Sequence, residues 1–221
     1  MVGQAIALGL SPTPPYNDVL SHFTEKSRVQ IIKYPHPTLR HKSKPLKRVD
    51  QELKQIIAEM FELMYSHQGI GLAANQVDLP YRLFIINVKG DPAEEGEAKV
   101  FLNPVITKKS GSAEAQEGCL SFPDIWAPVR RPEKIVVSAY GIDGQEFSYE
   151  MDGLYARAVQ HEIDHLDGIV FIDRLSEANK LAVREDLEEL AREFESSRRL
   201  GTMETDEQIA ARLKELESAR T

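Results

Sequence analysis

The stretch QHEIDHLDG (160–168) decides how the rest of the chain is read. His161 and His165 stand four residues apart, and Glu162 directly follows the first. On a helix of 3.6 residues per turn, positions i and i+4 share a face, so both imidazoles can point at one ion. Glu162 lies about 100° around the helix from His161. It can take a proton from a polarised water without binding the ion itself. The rival reading is a helix that carries two unrelated imidazoles, and the spacing alone does not exclude it.

The neighbouring residues suit a helix. Asp152 can cap one running from about Gly153 to Leu166, with Gly168 just past its end. A catalytic metal then needs a third protein ligand, leaving the remaining position for water. No histidine follows His165, and the later glutamates sit in a highly charged tail. Cys119, in EGCLS (117–121), offers a thiolate, a strong ligand for a borderline cation that itself lowers the thiol pKa. A lone cysteine is ordinarily a small buried hydrophobe, but beside H-E-x-x-H the ligand reading is the better one. Acyl chemistry also needs donors aimed at a developing oxyanion. GIGLAANQ (69–76) supplies glycines that admit a close backbone approach, and Gln76 as a neutral donor. Alone, such a segment would read as tight packing.

Composition bounds the rest. The 221 residues are 42% hydrophobic and 28% charged, ordinary for a globular chain that can bury a core. A formal charge of −8 argues against direct nucleic-acid specificity, which needs a cationic face. The single cysteine forbids an intrachain disulfide and suits a reducing compartment. No apolar run approaches the ~20 residues of a membrane helix. AIALGL (5–10) is too short for a signal-peptide core, and the first 28 residues are poor in Arg. A cytoplasmic protein without membrane contact is expected.

Along the chain, VQIIKYPHPTLR (29–40) reads as a short strand before two proline breaks. Asp50 caps a helix to about Ser66, with Leu53, Ile56, Ile57, Met60, Phe61 and Met64 as its apolar stripe. YRLFIINV, VFLNPVIT and the two halves of EKIVVSAYGIDGQEFSYEM read as strands, and IVFIDRL as a strand or turn. Beyond Ser176, Val183, Leu187, Leu190 and Phe194 form a helical stripe. A second follows a capping box at Thr205 and Gln208, through Ile209, Leu213 and Leu216. The order of elements predicts an α+β fold: antiparallel sheets packed around a central helix carrying the HExxH motif, with a C-terminal helix.

Taken in order, GIGLAANQ, EGCLS and QHEIDH resemble the peptide deformylase family over roughly residues 30–175. The resemblance implies Cys119, His161 and His165 as ligands of one divalent metal ion, Fe2+ natively, with Zn2+, Ni2+ or Co2+ able to replace it. It implies Glu162 as general base and then acid, and Gln76 with the backbone N–H of Leu120 as oxyanion donors. Ile70 and Gly71 would bind the substrate backbone. The implied reaction removes the N-formyl group from the initiator methionine of nascent peptides, releasing formate. Leu154 and Ala158, one turn apart, are candidates to line an apolar methionine pocket. Family members also dock on the ribosome through a C-terminal helix, a transient contact that the acidic balance here disfavours.

SFPDIWAPVRRP (121–132) and LYARAVQHE (154–162) resemble the organelle-type members, and Trp126 stands where many bacterial members carry Arg. Trp126 as a substrate-side wall and Trp126 as plain packing weigh equally. The expected organisation is an N-terminal arm (1–28), a metallohydrolase domain (29–175) and a charged helical extension (176–221). Two rivals remain. A zincin-like metallopeptidase would need a non-sulfur third ligand, and a non-enzymatic module would close its metal with four protein ligands. His22, His36, His41 and His67 read as surface or turn residues, Asp164 as a cap or solvated residue, and Arg157 as a salt-bridge or packing residue.

Overall fold

The structure is a computed structural model and describes residues 29–221. The expected arm, with His22, lies outside these residues. Helix α1 (Gln51–Ser66) starts where Asp50 Oδ1 accepts the Leu53 N–H at 2.8 Å, and it buries every residue of the expected stripe. Strands β1 (Gly71–Ala73), β2 (Leu83–Ile86) and β3 (Lys99–Ser110) follow. Next come β4 (Ala113–Cys119), β5 (Phe122–Arg131), β6 (Lys134–Tyr140) and β7 (Glu146–Asp152). A five-stranded antiparallel sheet has the order β1-β2-β3-β6-β7, and β4 and β5 form a separate hairpin.

Gly153, at φ +55°, turns the chain out of β7 into helix α2 (Gly153–Leu166). Asp152 sits at the N-cap without a side-chain bond. It is still the last residue of β7, paired with Lys134. Ala156, Val159, Ile163 and Leu166 recur at three- and four-residue spacing and bury α2 against Phe84, Ile86 and Val137 of the sheet. Gly168 follows at φ +72°, against the Arg40 carbonyl. The observed class is the expected mixture of helices and antiparallel sheet.

Three apolar clusters make the core. The first joins α1 to Leu72, Ala74, Val77 and Tyr81. The second lies between α2 and the large sheet. The third packs Phe122, Ile125 and Val129 of the hairpin on Leu39, Phe171 and Val183.

One local expectation needs correction, and two open readings resolve as turns. Residues 29–33 form no strand, although Ile32 N–H donates to the Gln76 carbonyl at 2.9 Å and Tyr34 N–H to that of Ser121 at 3.0 Å. The two prolines lead instead into a 3-10 turn at Pro37–Arg40. IVFIDRL, read as a strand or turn, takes the turn: Phe171–Arg174 is a 3-10 turn with Phe171 and Ile172 buried in the third cluster. His36, read as a surface or turn residue, takes the turn position, buried as the N-cap of Pro37–Arg40.

The tail forms α3 (Glu177–Ala182), α4 (Arg184–Arg199) and α5 (Asp206–Arg220). The Thr205–Gln208 capping box is present. The buried face of α5 is Ile209, Leu213, Glu217 and Arg220. Leu216, expected in the stripe, is only partly buried, because two charged residues take the inward positions. No helix among the described residues is long and apolar enough to cross a membrane.

Candidate metal centre

Cys119 ends β4, and Leu120 and Ser121 make the turn that returns the chain to Phe122. A register shift between Glu117 and Cys119 re-aims this end of the hairpin towards α2. There His161 and His165 are both buried, their ring centroids 5.0 Å apart and their planes at 75°. Cys119 Sγ lies 3.3 Å from His165 Nε2. One ligand atom from each of Cys119, His161 and His165 falls within 4.8 Å of the others. Among the described residues no fourth protein ligand joins this group, and no tail glutamate belongs to it.

The electrostatics of the group suit a cation. Burial disfavours a charged His161, but hydrogen bonds to Cys119 and Glu117 outweigh it and push the imidazole up to about 10. Burial, with the charge on His161, drives His165 well below the ordinary histidine value. A divalent cation bound by those atoms would displace any proton from the ligating atoms and bring its own positive charge. The donor set of one sulfur and two imidazoles fits a borderline metal.

Behind the rings lies a buried ion network. Glu117 accepts from His161 Nδ1 at 3.2 Å, from Arg131 Nε and Nη2 at 2.7 and 2.9 Å, and from Arg157 Nη1 at 2.6 Å. Burial opposes ionisation of Glu117, yet His161 and Arg131 together hold its carboxyl at about 2. Asp164 accepts from Arg131 at 2.7 Å and from Arg174 at 2.6 Å. Asp164 is thus a buried ion-pair partner and not a solvated helix residue. Arg157, as expected, ties elements together, reaching also the carbonyls of Val129 and Ala113. Glu117 and Arg131 escaped the sequence reading, and the register shift between Glu117 and Cys119 means that simple strand alternation would not have placed Glu117 beside the site.

Glu162 is buried beside the group, and its Oε2 has no hydrogen-bond partner. Burial pushes its carboxyl up to about 7, against the pull of His161 and Arg131. Gln76, buried in the 3-10 turn Ala74–Val77, has its Oε1 fixed by the Ala73 N–H at 2.8 Å. That leaves its Nε2 donating to Cys119 Sγ at 3.3 Å and Ser121 Oγ at 3.4 Å. Ser121 was not singled out from the sequence.

The expected substrate-side residues are more dispersed. Gly71 touches Glu162, and Ile70 precedes it at the start of β1, the edge strand of the large sheet. Leu120 packs its side chain on Gly69, joining EGCLS to GIGLAANQ. Leu154 is 56% exposed on the first turn of α2, whereas Ala158 is buried in the second cluster. Trp126 is 67% exposed, its indole lying over Gly118.

The sequence and the fold have counterparts among known proteins. The Polypeptide deformylase family profile matches residues 29–181. The chain is 45% identical over 193 residues to a peptide deformylase of Rhodopirellula baltica, covering 87% of this chain and 96% of that one. It is 42% identical over 168 residues to the chloroplastic/mitochondrial peptide deformylase 1B of Arabidopsis thaliana, covering 76% and 61%. A solved plant peptide deformylase PDF1B superposes with a TM-score of 0.75 at 40% identity, over 80% of this chain and 96% of that one. Agreement in sequence and in fold over most of the chain places it in one group: it belongs to the polypeptide deformylase family.

Proposed function

We propose that this enzyme, a metal-dependent amidohydrolase, removes the N-formyl group from the initiator methionine of nascent peptides through Cys119, His161, His165, Glu162 and Gln76. The observation that carries this reading is the convergence of Cys119, His161 and His165 within 4.8 Å, with Glu162 buried alongside. A divalent ion held by those three residues, Fe2+ in our reading, would polarise water and the formyl oxygen.

The protein's own groups do the rest. Glu162 takes the proton from the attacking water as its oxygen adds to the formyl carbon. Gln76 Nε2 and the Leu120 N–H stabilise the oxyanion, each donor contributing ~3 kcal/mol. The carbon–nitrogen bond then breaks, and Glu162 returns the proton to the departing amine, leaving formate and a free N-terminus. Burial, which pushes the Glu162 carboxyl up, suits a group that must both take and return a proton. The glutamine is directed by Ala73, so its donor end faces the sulfur before substrate arrives.

Substrate backbone would align along Ile70 and Gly71 at the open edge of β1. Leu154 and Ala158 are proposed to flank the methionine side chain. We assign catalysis to residues 29–175, treat 1–28 as an arm and 176–221 as a helical extension, and place the enzyme in a reducing compartment that keeps Cys119 a thiol.

The deciding measurement is formate release from formyl-Met peptides alongside metal analysis. Glu162→Ala should lose turnover while keeping metal, and Cys119→Ser should lose metal. Wild-type turnover by Glu162→Ala overturns the mechanism. Unchanged metal content in Cys119→Ser would revive the peptidase reading.

A further inference from the structure

We propose that helix α5, in the tail beyond the family match, positions Gln76 from behind through Arg212 and Glu217. The proposal rests on the reading of Gln76 as an oxyanion donor. Gln76 sits in the single 3-10 turn Ala74–Val77, too short to hold its own geometry. Its fastenings lie on either side.

On one side, the buried Asn75 amide donates to the carbonyls of His41 at 2.7 Å and Thr38 at 3.4 Å, and accepts from Ser43 Oγ at 2.9 Å. On the other, Asp78 closes the turn at φ +62°, its carboxylate held by Thr38 Oγ1. The turn is therefore clasped to Pro37–Arg40, another single turn.

Helix α5 grips both turns. Arg212 forks over Asp78, donating to its carboxylate and, at 3.3 Å, to its carbonyl. Glu204 steadies the guanidinium through Arg212 Nε at 2.9 Å. Five residues later on α5, the buried Glu217 accepts from His41 Nε2 at 2.8 Å and Lys44 Nζ at 2.7 Å. Ile209 and Leu213 already supply apolar contact. Burying a carboxylate costs desolvation that apolar docking avoids. What the charged contacts add is a fixed orientation of the two turns, and hence of the amide between Asn75 and Asp78.

The test uses the metal-loaded full chain and formyl-Met peptides. Arg212→Ala and Glu217→Gln should each lower kcat by ~10-fold with KM within about twofold, the signature of a displaced donor. In a Gln76→Ala background, Arg212→Ala should add nothing. In 15N spectra, the Gln76 side-chain amide should move towards the free-glutamine position in both variants. Should Arg212→Ala unfold, Arg212→Lys keeps the charge but cannot span both Asp78 oxygens, and its kcat should fall at an unchanged Tm. Full kcat in folded Arg212 and Glu217 variants, or an undiminished Arg212→Ala effect without Gln76, overturns the proposal. An inactive wild type would instead indict the proposed function, and the amide spectra would still read the positioning.

Discussion

Glu162 lies against the bare Cα of Gly71: a methyl group there would come within 2.5 Å of Glu162 Oε1 and 3.0 Å of Cδ. The carboxylate is buried and cannot swing aside into solvent. Gly71→Ala should therefore fold, keep its metal and lose about 100-fold in kcat/KM, since a shift near 1 Å of a reacting group costs that much. Formate-release kinetics with metal analysis and circular dichroism check this. Undiminished turnover would mean that the position of Glu162 is unimportant.

Glu117 orients His161 through Nδ1, and such partners of ligating imidazoles are commonly worth 10–100-fold in metal affinity. Glu117→Gln keeps the shape but removes the charge that compensates the buried Arg131. Metal affinity should drop within roughly that range, and stability by about 3 kcal/mol. Chelator competition and denaturant melts measure the two effects separately.

Acid should loosen α5. Burial raises the Glu217 carboxyl, but bonds from Lys44 and His41 prevail and set it below 4.5. A depressed carboxylate contributes its stability above the unfolded value of 4.5 and loses it as pH falls through the lowered folded value. Melting curves between pH 6 and about 3 should show a slope that flattens in Glu217→Gln. An identical slope in the variant would remove Glu217 from the account.

Trp126 is the protein's one tryptophan, and its indole covers Gly118, the neighbour of Cys119. Adding or stripping metal should change its emission. A methyl group at Gly118 would meet indole Cδ2 at 2.8 Å, so Gly118→Ala should shift the spectrum even without metal. A spectrum indifferent to both would detach Trp126 from the site.

How much of this was legible varies with the range of the interaction. Helix α2 and its two imidazoles could be read because helical periodicity is local. The α1 stripe was complete for the same reason. The sheet order was not readable, since β3 pairs with β6 across the whole β4–β5 hairpin. Nor was the Glu117 network: its cations, Arg131 and Arg157, lie 14 and 40 residues away. In α5, Leu216 lost the inward face to Glu217 and Arg220 because their partners, His41, Lys44 and Tyr81, come from distant loops. Pattern shows which residues are apolar, and only folding shows which charges find mates.

The three apolar clusters meet at the sulfur and its two rings. Cys119 packs on the third, α2 is seated in the second, and the turn bearing Gln76 grows from the first. Each reacting group thus moves with a different block of the interior. Heating that lets any one block breathe will spoil the alignment before the fold as a whole gives way, so inactivation should run ahead of melting.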